Sequence, residues 1–435
     1  MHHEKIFENP DYRISCDRKL AFPSMLPVEQ FFESRDVGPV EEAVRQSLAD
    51  VSPFLPPLKG KRVALTAGSR GVKNIVTILG TLAAWLKERG AAPFVVPAMG
   101  SHGGATAEGQ IAVLRGYGIV EDAIGMPVVS SMETVEIGRL DDGTPVFCDR
   151  NAFEADYLVP VGRIKPHPDF KAAVESGLCK MMAIGLGKHN GAKTLHRLGF
   201  ERMSRTIEAA ARVCIGSGRV PFGLAILENA YSRTMRMEAI PSDRIVDREK
   251  ALLAEAKNAM PRLHFSAIDI LIVDMAGKDI SGAGMDPNIT GRPVTGQPGF
   301  SAPPIQNIAV LDLSDHSNGN AVGIGMADVV TARLARKIDF GATYTNSITA
   351  AGLVGSRLPL VAKDDLDAVL VAYCACHRVT PETVRIVHIQ NTSAISLVEA
   401  SANMREEIES HPAMRVAGVP EPLEFVDGCL RSRFR

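Results

Sequence analysis

Apolar residues recur at helical spacing across residues 72–89, where Ile75, Ile78, Leu79, Leu82 and Leu86 share one stripe and Gly90 ends the run. A short unbroken apolar run, residues 61–66 (KRVALT), precedes this helix and reads as a strand, with a Gly-rich turn between them. Residues 93–98 (PFVVPA) repeat the strand pattern. A sharp MGSHGG turn follows, and Thr106 is placed to cap the next helix. Strand–helix–strand–helix alternation predicts a parallel α/β sheet.

Downstream, residues 127–150 read as short strands around a DDG turn at 141–143, and residues 156–161 (DYLVPV) as another strand. Helices are expected near 171–184 and 201–215, a strand at 222–228, and an amphipathic helix at 244–260 ended by Pro261. A new α/β pattern begins at 268–275 (IDILIVDM). The Pro- and Gly-rich residues 290–305 read as a long loop, with strands at 307–313 and 384–389. The expected class is therefore α/β: two α/β domains with mainly parallel sheets and a cleft between them. Residues 1–265 form the N-terminal domain, with 401–435 packing back on it, and residues 266–400 form the C-terminal α/β domain.

Composition narrows the function. Length alone, 435 residues, favours more than one core. With 46% hydrophobic and 23% charged residues the chain reads as a soluble globular protein, and no window reaches the ~20 apolar residues of a membrane span. Basic and acidic side chains nearly balance, 48 against 50, so no pull toward nucleic acid or an anionic membrane is expected. The N-terminal MHHEKIFENPDYR lacks the apolar stretch of a signal peptide. Seven scattered cysteines favour a reducing cytoplasm over a disulfide framework. A homodimer is the base-rate expectation for assembly.

Several familiar motifs fail. Gly282-Ala-Gly284 runs into Met285, Asp286 and Pro287 instead of completing a dinucleotide fingerprint. The run from Gly187 to Thr194 misses a phosphate loop because Ala192 stands at its second glycine. Cys374-Ala-Cys376-His377 matches no standard zinc spacing and lies in a helix-like run, which favours a structural role.

What remains is concentrated in residues 162–196, where three histidines and five lysines sit among small residues. Proton carriers and nucleophilic amines crowded in this way suit a reactive site. Two turns at predicted strand ends add to it. Thr66, Ser69, Arg70 and Gly71 could hold a phosphate or carboxylate at a helix N-terminus, or form a plain connection. In Gly100-Ser-His102-Gly-Gly104 a histidine flanked by glycines sits at the strand edge where open α/β sheets bind ligands.

In order, these pieces are Thr66…Arg70, Gly100-Ser-His102, Pro166-His167, Ser176-Gly-x-x-Lys180 and His196. Over the first ~200 residues they resemble the nickel-dependent lactate racemases and their relatives, of which the chain looks like a divergent member. The resemblance implies an isomerase, a racemase or epimerase of a 2-hydroxy acid. It implies a nickel-pincer nucleotide, a pyridinium-3,5-bisthiocarboxylic acid mononucleotide, tethered to Lys180. Nickel would be bound by His196, with His189 as competitor, and His102 and His167 would form the acid/base pair. Hydride would move to and from the cofactor while a histidine takes the hydroxyl proton. Thr66, Ser69, Arg70 and Gly71 would contact the nucleotide. Arg163, Lys165 and Lys278 are candidates to clamp the substrate carboxylate.

The chain also departs from the family. An acidic residue expected in the first turn is replaced by neutral Leu65 or Ala67, and the gap from His167 to Lys180 is three residues longer. Competing readings are a cofactor-independent hydro-lyase or other enzyme acting on a sugar acid, and a non-catalytic nucleotide- or anion-binding protein.

Overall fold

The computed structural model describes residues 20–349 and 352–434. The N-terminal stretch considered for a signal peptide, and Cys16, lie outside them. The chain divides into two units: residues 33–167 with 171–260, and residues 1–32, 168–170 and 261–435. The architecture is α/β.

In the unit spanning 33–260, three parallel strands run in the order Ala92–Pro97, Arg62–Ala67, Tyr157–Val159. The helix Ile75–Glu88 contributes Ile78, Leu79, Leu82 and Leu86, all fully buried, to the core that Val63 and Leu65 share. Its apolar stripe is the one the spacing predicts, although the helix begins at Ile75 rather than at residue 72. Thr106 caps the helix Ala107–Gly116 by accepting the Gly109 N–H.

Pro160 divides one extended segment in two. Lacking an N–H, it cannot continue the ladder, and the chain passes into Val161–Arg163, which pairs with Phe222–Glu228 in a second sheet completed by Thr234–Pro241. The hydroxyl of Thr66 spans the break, accepting from Val161 N–H at 2.8 Å and donating to Val161 C=O at 3.1 Å.

The expected helix at 171–184 is mostly absent. Residues 171–177 fold around the carboxylate of Glu175, which accepts the N–H groups of His167 and Ala172, so side chain competes with helix for backbone donors. Helix begins only at Leu178–Lys180 and widens at once into a π turn, Met181–Gly185.

The second unit holds an eight-stranded sheet. Its parallel part runs Leu360–Ala362, Val329–Thr331, Ile305–Leu313, Ile268–Ala276, Ile386–Ile389. Leu397–Ser401, Met25–Gln30 and Met414–Val416 then follow antiparallel. Leu271 and Val273 face one apolar core, Ile270 and Ile272 the other, which explains the unbroken apolar run of this central strand. The pattern reading gave residues 1–32 and 401–435 to the N-terminal domain. The units instead group both with 261–435, because Met25–Gln30 pairs with Leu397–Ser401 on one side and Met414–Val416 on the other. Among the described residues no helix is long and apolar enough to cross a membrane.

Candidate active site

The π turn Met181–Gly185 organises the candidate residues. A Cβ added to Gly68 would touch the Met181 side chain, and one on Gly185 would fall 2.6 Å from Ala98 O. Gly185 O accepts the Gly100 N–H at 3.0 Å. The turns after strands Arg62–Ala67 and Ala92–Pro97 therefore both rest on the turn that directly follows Lys180.

Lys180 is the last residue of its short helix. Its start is fastened from the helix Ile245–Asn258, where Glu249 accepts the Cys179 N–H at 2.9 Å. Only glycine fits at 177, since a Cβ would lie 2.5 Å from the Glu249 carboxyl carbon. Burial pushes the Glu249 carboxyl up to about 7.

The Lys180 ammonium nitrogen lies 2.5 Å from His167 Nε2. His167 is buried, and its own N–H donates to Glu175 Oε2 at 2.6 Å. Lys257 pairs with the other Glu175 oxygen at 2.6 Å, and Lys171 donates to the His167 carbonyl at 3.0 Å. The loop from His167 to Glu175 is thus folded around one carboxylate. Burial first, then the positive fields of Lys180, Lys165 and Lys171, hold the His167 imidazole well below its ordinary range. It is neutral near pH 7.

His196 ends the helix Lys188–His196. Burial and then Lys180 lower its imidazole to about 4. His189 lies exposed in the first turn of that helix. Of the two, His196 is the one that shares the environment of His167 and Lys180.

His102 sits in the Gly100 turn. Its Nδ1 is 2.7 Å from Met99 O. A carbonyl only accepts, so Nδ1 carries a proton, and in the neutral ring Nε2 then keeps the lone pair. A Cβ on Gly100 would lie 3.5 Å from Ala192 Cβ, one helical turn before His196.

The remaining candidates are placed differently. The Thr66 hydroxyl is buried and engaged with Val161. Ser69 is half-buried, and Arg70 and Gly71 are exposed. The Ser69 carbonyl accepts from Tyr117 OH at 3.1 Å and from Arg70 at 3.4 Å. Arg163 is paired with Glu228, so its guanidinium faces a carboxylate of its own chain. Lys165 is bridged through its backbone to Ser176, and its charge acts on His167. Lys278 belongs to the other unit, where its ammonium donates to Gly282 O at 2.6 Å. Among the described residues no group of three or more His, Cys, Asp or Glu could hold a metal ion by itself. Cys376 instead accepts from Asn307, in line with a structural role.

The motif reading overlooked Glu175, Glu249, Gln110 and Lys188, all fully buried. They hold the backbone around the histidines and the lysine.

Residues 60–207, which contain every one of these groups except Glu228, Glu249, Lys257, Lys278, Gly282, Asn307 and Cys376, match the lactate racemase N-terminal domain family. Over that stretch the chain is similar to the lactate racemase N-terminal domain. No curated protein matches it. Two solved structures are similar at 14% identity. One is a Thermotoga maritima protein from a structural genomics programme, with TM-score 0.47 and coverage of 65% of this chain and 72% of its own. The other is the lactate racemase apoprotein from Thermoanaerobacterium thermosaccharolyticum, with TM-score 0.44 and coverage of 85% of this chain and 89% of its own.

Proposed function

We propose that the protein is an isomerase that racemises or epimerises a 2-hydroxy acid with a nickel-pincer nucleotide tethered to Lys180. The observation that carries this reading is the pairing of the Lys180 amine with the His167 imidazole at 2.5 Å, beside a neutral His196, inside the stretch similar to the lactate racemase N-terminal domain.

The residues present fit the cofactor. Lys180 offers a primary amine for the covalent tether. A metal ligand must present an unprotonated imidazole, and burial together with Lys180 keeps His196 in that form down to about pH 4. The turn bearing Ser69, Arg70 and Gly71 leaves a strand end and would hold the phosphate. When bound, the nickel-pincer nucleotide would supply a hydride acceptor.

The chain's own residues handle protons and charge. His102, with Nδ1–H fixed on Met99 O, presents Nε2 as a base toward a substrate hydroxyl. His167 is kept neutral chiefly by burial, with the fields of Lys165 and Lys171 persisting when Lys180 is tethered, and the tether would take the Lys180 ammonium off its Nε2 so that it can act as the second base. Two imidazoles on different supports suit a reaction in which each enantiomer's hydroxyl needs its own base. Lys165 is the better candidate for the substrate carboxylate, since Arg163 is already paired with Glu228. The substrate would be a small 2-hydroxy acid.

The experiment is coexpression with the enzymes that make the cofactor, followed by intact mass and by assay of chiral 2-hydroxy acids in deuterated buffer. A nucleotide-sized adduct on Lys180, with inversion and little deuterium at carbon 2, is expected. Activity from protein with unmodified Lys180 would overturn the reading. It would favour instead the cofactor-independent chemistry that a lysine amine beside a neutral imidazole also permits.

A further inference from the structure

Lys188 is a charged side chain with no exposure to solvent, on a residue with φ of +52° at the first position of the helix that ends in His196. Its ammonium donates to Pro97 O at 2.6 Å and to Gln110 Oε1 at 2.9 Å, and it forms an ion pair with Asp149 Oδ2 at 3.1 Å. These come from the end of the strand Ala92–Pro97, from the helix Ala107–Gly116, and from the end of the strand Pro145–Asp149.

Gln110 is fully buried as well. An ammonium only donates, so the contact with Lys188 fixes which end of the Gln110 amide is oxygen. The NH₂ end then points the other way, to Gly100 O at 2.9 Å and His102 O at 3.4 Å. Those two carbonyls bracket the turn that presents His102. Three glycines in this turn, at positions 100, 103 and 104, have positive φ, so its own backbone gives it little stiffness. The nearby Met99 carbonyl sets the His102 tautomer.

We propose that Lys188 and Gln110 are positioning residues that hold the His102 turn in one conformation and fix His102 as the Nδ1–H tautomer. Lys188 touches no reacting atom. It acts through Gln110 and Pro97 on the His102 turn, and it begins the helix that carries His196, so one buried ammonium ties both histidine supports together. The consequence for turnover rests on the isomerase reading. The consequence for the His102 tautomer does not.

The decisive variant is Gln110→Glu. It keeps the volume and the acceptor facing Lys188 but removes both N–H groups facing Gly100 O and His102 O. Side-chain ¹⁵N NMR of the full-length, cofactor-free protein, with the His102 signals assigned through His102→Gln, reads the tautomer. The native protein is expected to show protonated Nδ1 and unprotonated Nε2. In Gln110→Glu the two His102 nitrogens should move toward averaged values while the other histidines stay close to native and the melting temperature falls only as far as the lost donors to Gly100 O and His102 O require. Lys188→Met should give the same averaging, and should it fail to fold, Gln110→Glu decides alone. In cofactor-loaded protein Gln110→Glu should lower kcat by about 10- to 100-fold at nearly constant KM. Native His102 nitrogen shifts in folded Gln110→Glu would overturn the proposal. If the shifts average but no 2-hydroxy acid is ever inverted by the native enzyme, positioning stands and the isomerase reading falls.

Discussion

Glu175 concentrates more of the site's organisation than any residue with a catalytic assignment. Its buried carboxylate binds the His167 N–H and the Ala172 N–H and pairs with Lys257, with Lys171 3.6 Å away. Removing it would leave the buried His167 N–H without its acceptor and Lys171 and the partly exposed Lys257 without their carboxylate. Glu175→Ala is therefore expected to cost about 3–5 kcal/mol in urea unfolding. Glu175→Gln retains shape and one acceptor, so it should cost less while lowering turnover through a loosened His167. Equal stability of Glu175→Ala and native protein would refute this account of the loop. Thr66 carries a similar prediction on a smaller scale. Thr66→Val keeps the volume but strands the buried N–H and C=O of Val161, so a loss of about 1–3 kcal/mol is expected. A phosphate-binding role for its hydroxyl would instead leave stability untouched and weaken cofactor retention.

Among the elements, the short helix Leu178–Lys180 depends on its neighbour, the helix Ile245–Asn258, for its fastening at Glu249. That dependence has a pH signature. The Glu249 carboxyl titrates near 7 when folded and near its ordinary 4.5 when unfolded. Between those values the folded state binds a proton that the unfolded state does not, so stability falls as pH rises from about 4.5 to 7, by on the order of 3 kcal/mol. His167 and His196 act in the opposite sense, because both are held below 6.5 in the folded state. The unfolded chain takes up their protons first, and stability is lost as pH falls below about 6.5. In native protein the two effects offset each other. Glu249→Gln removes one of them, so its melting temperature should drop more steeply than native between pH 6.5 and 5. Parallel curves would show that Glu249 does not titrate there. The same elements mark what a one-dimensional reading can reach. The helix Ile75–Glu88 announces itself by a periodic apolar stripe and the strand Phe222–Glu228 by a short unbroken apolar run, and both signals are local. Residues 171–177 do not, since Ala172, Ala173, Val174 and Glu175 have helical composition and only the tertiary use of Glu175 defeats it. The histidines and Lys180 were legible from their chemistry. Glu175, Glu249, Gln110 and Lys188 were not, because AVES, DREK, EGQI and GKHN read as solvated faces, and burial of a charge depends on distant chain.

At the scale of the whole molecule, the largest departure from the pattern reading is the allegiance of the N-terminal strand. Met25–Gln30 is separated from its partners by most of the chain, yet it closes the antiparallel end of the eight-stranded sheet, with Leu26 and Val28 fully buried in the same core as Val398 and Met404. The unit formed by residues 261–435 is therefore incomplete without a segment made before the unit of residues 33–260. Sheet pairing of this kind must wait for the intervening chain, and the long loop it closes adds an entropic cost that grows slowly with length. Leu26→Ala should destabilise by about 2–5 kcal/mol. Hydrogen exchange can locate the loss. Protection should fall in the strands Leu397–Ser401, Met414–Val416 and Ile386–Ile389, and remain native in Arg62–Ala67 and Phe222–Glu228, which belong to the other unit. A fragment of residues 261–435 should lack a cooperative unfolding transition and regain one when residues 20–32 are fused to it through a flexible linker. Cooperative unfolding of the bare fragment, or protection lost equally from both units in Leu26→Ala, would show that the N-terminal strand does not complete this sheet energetically.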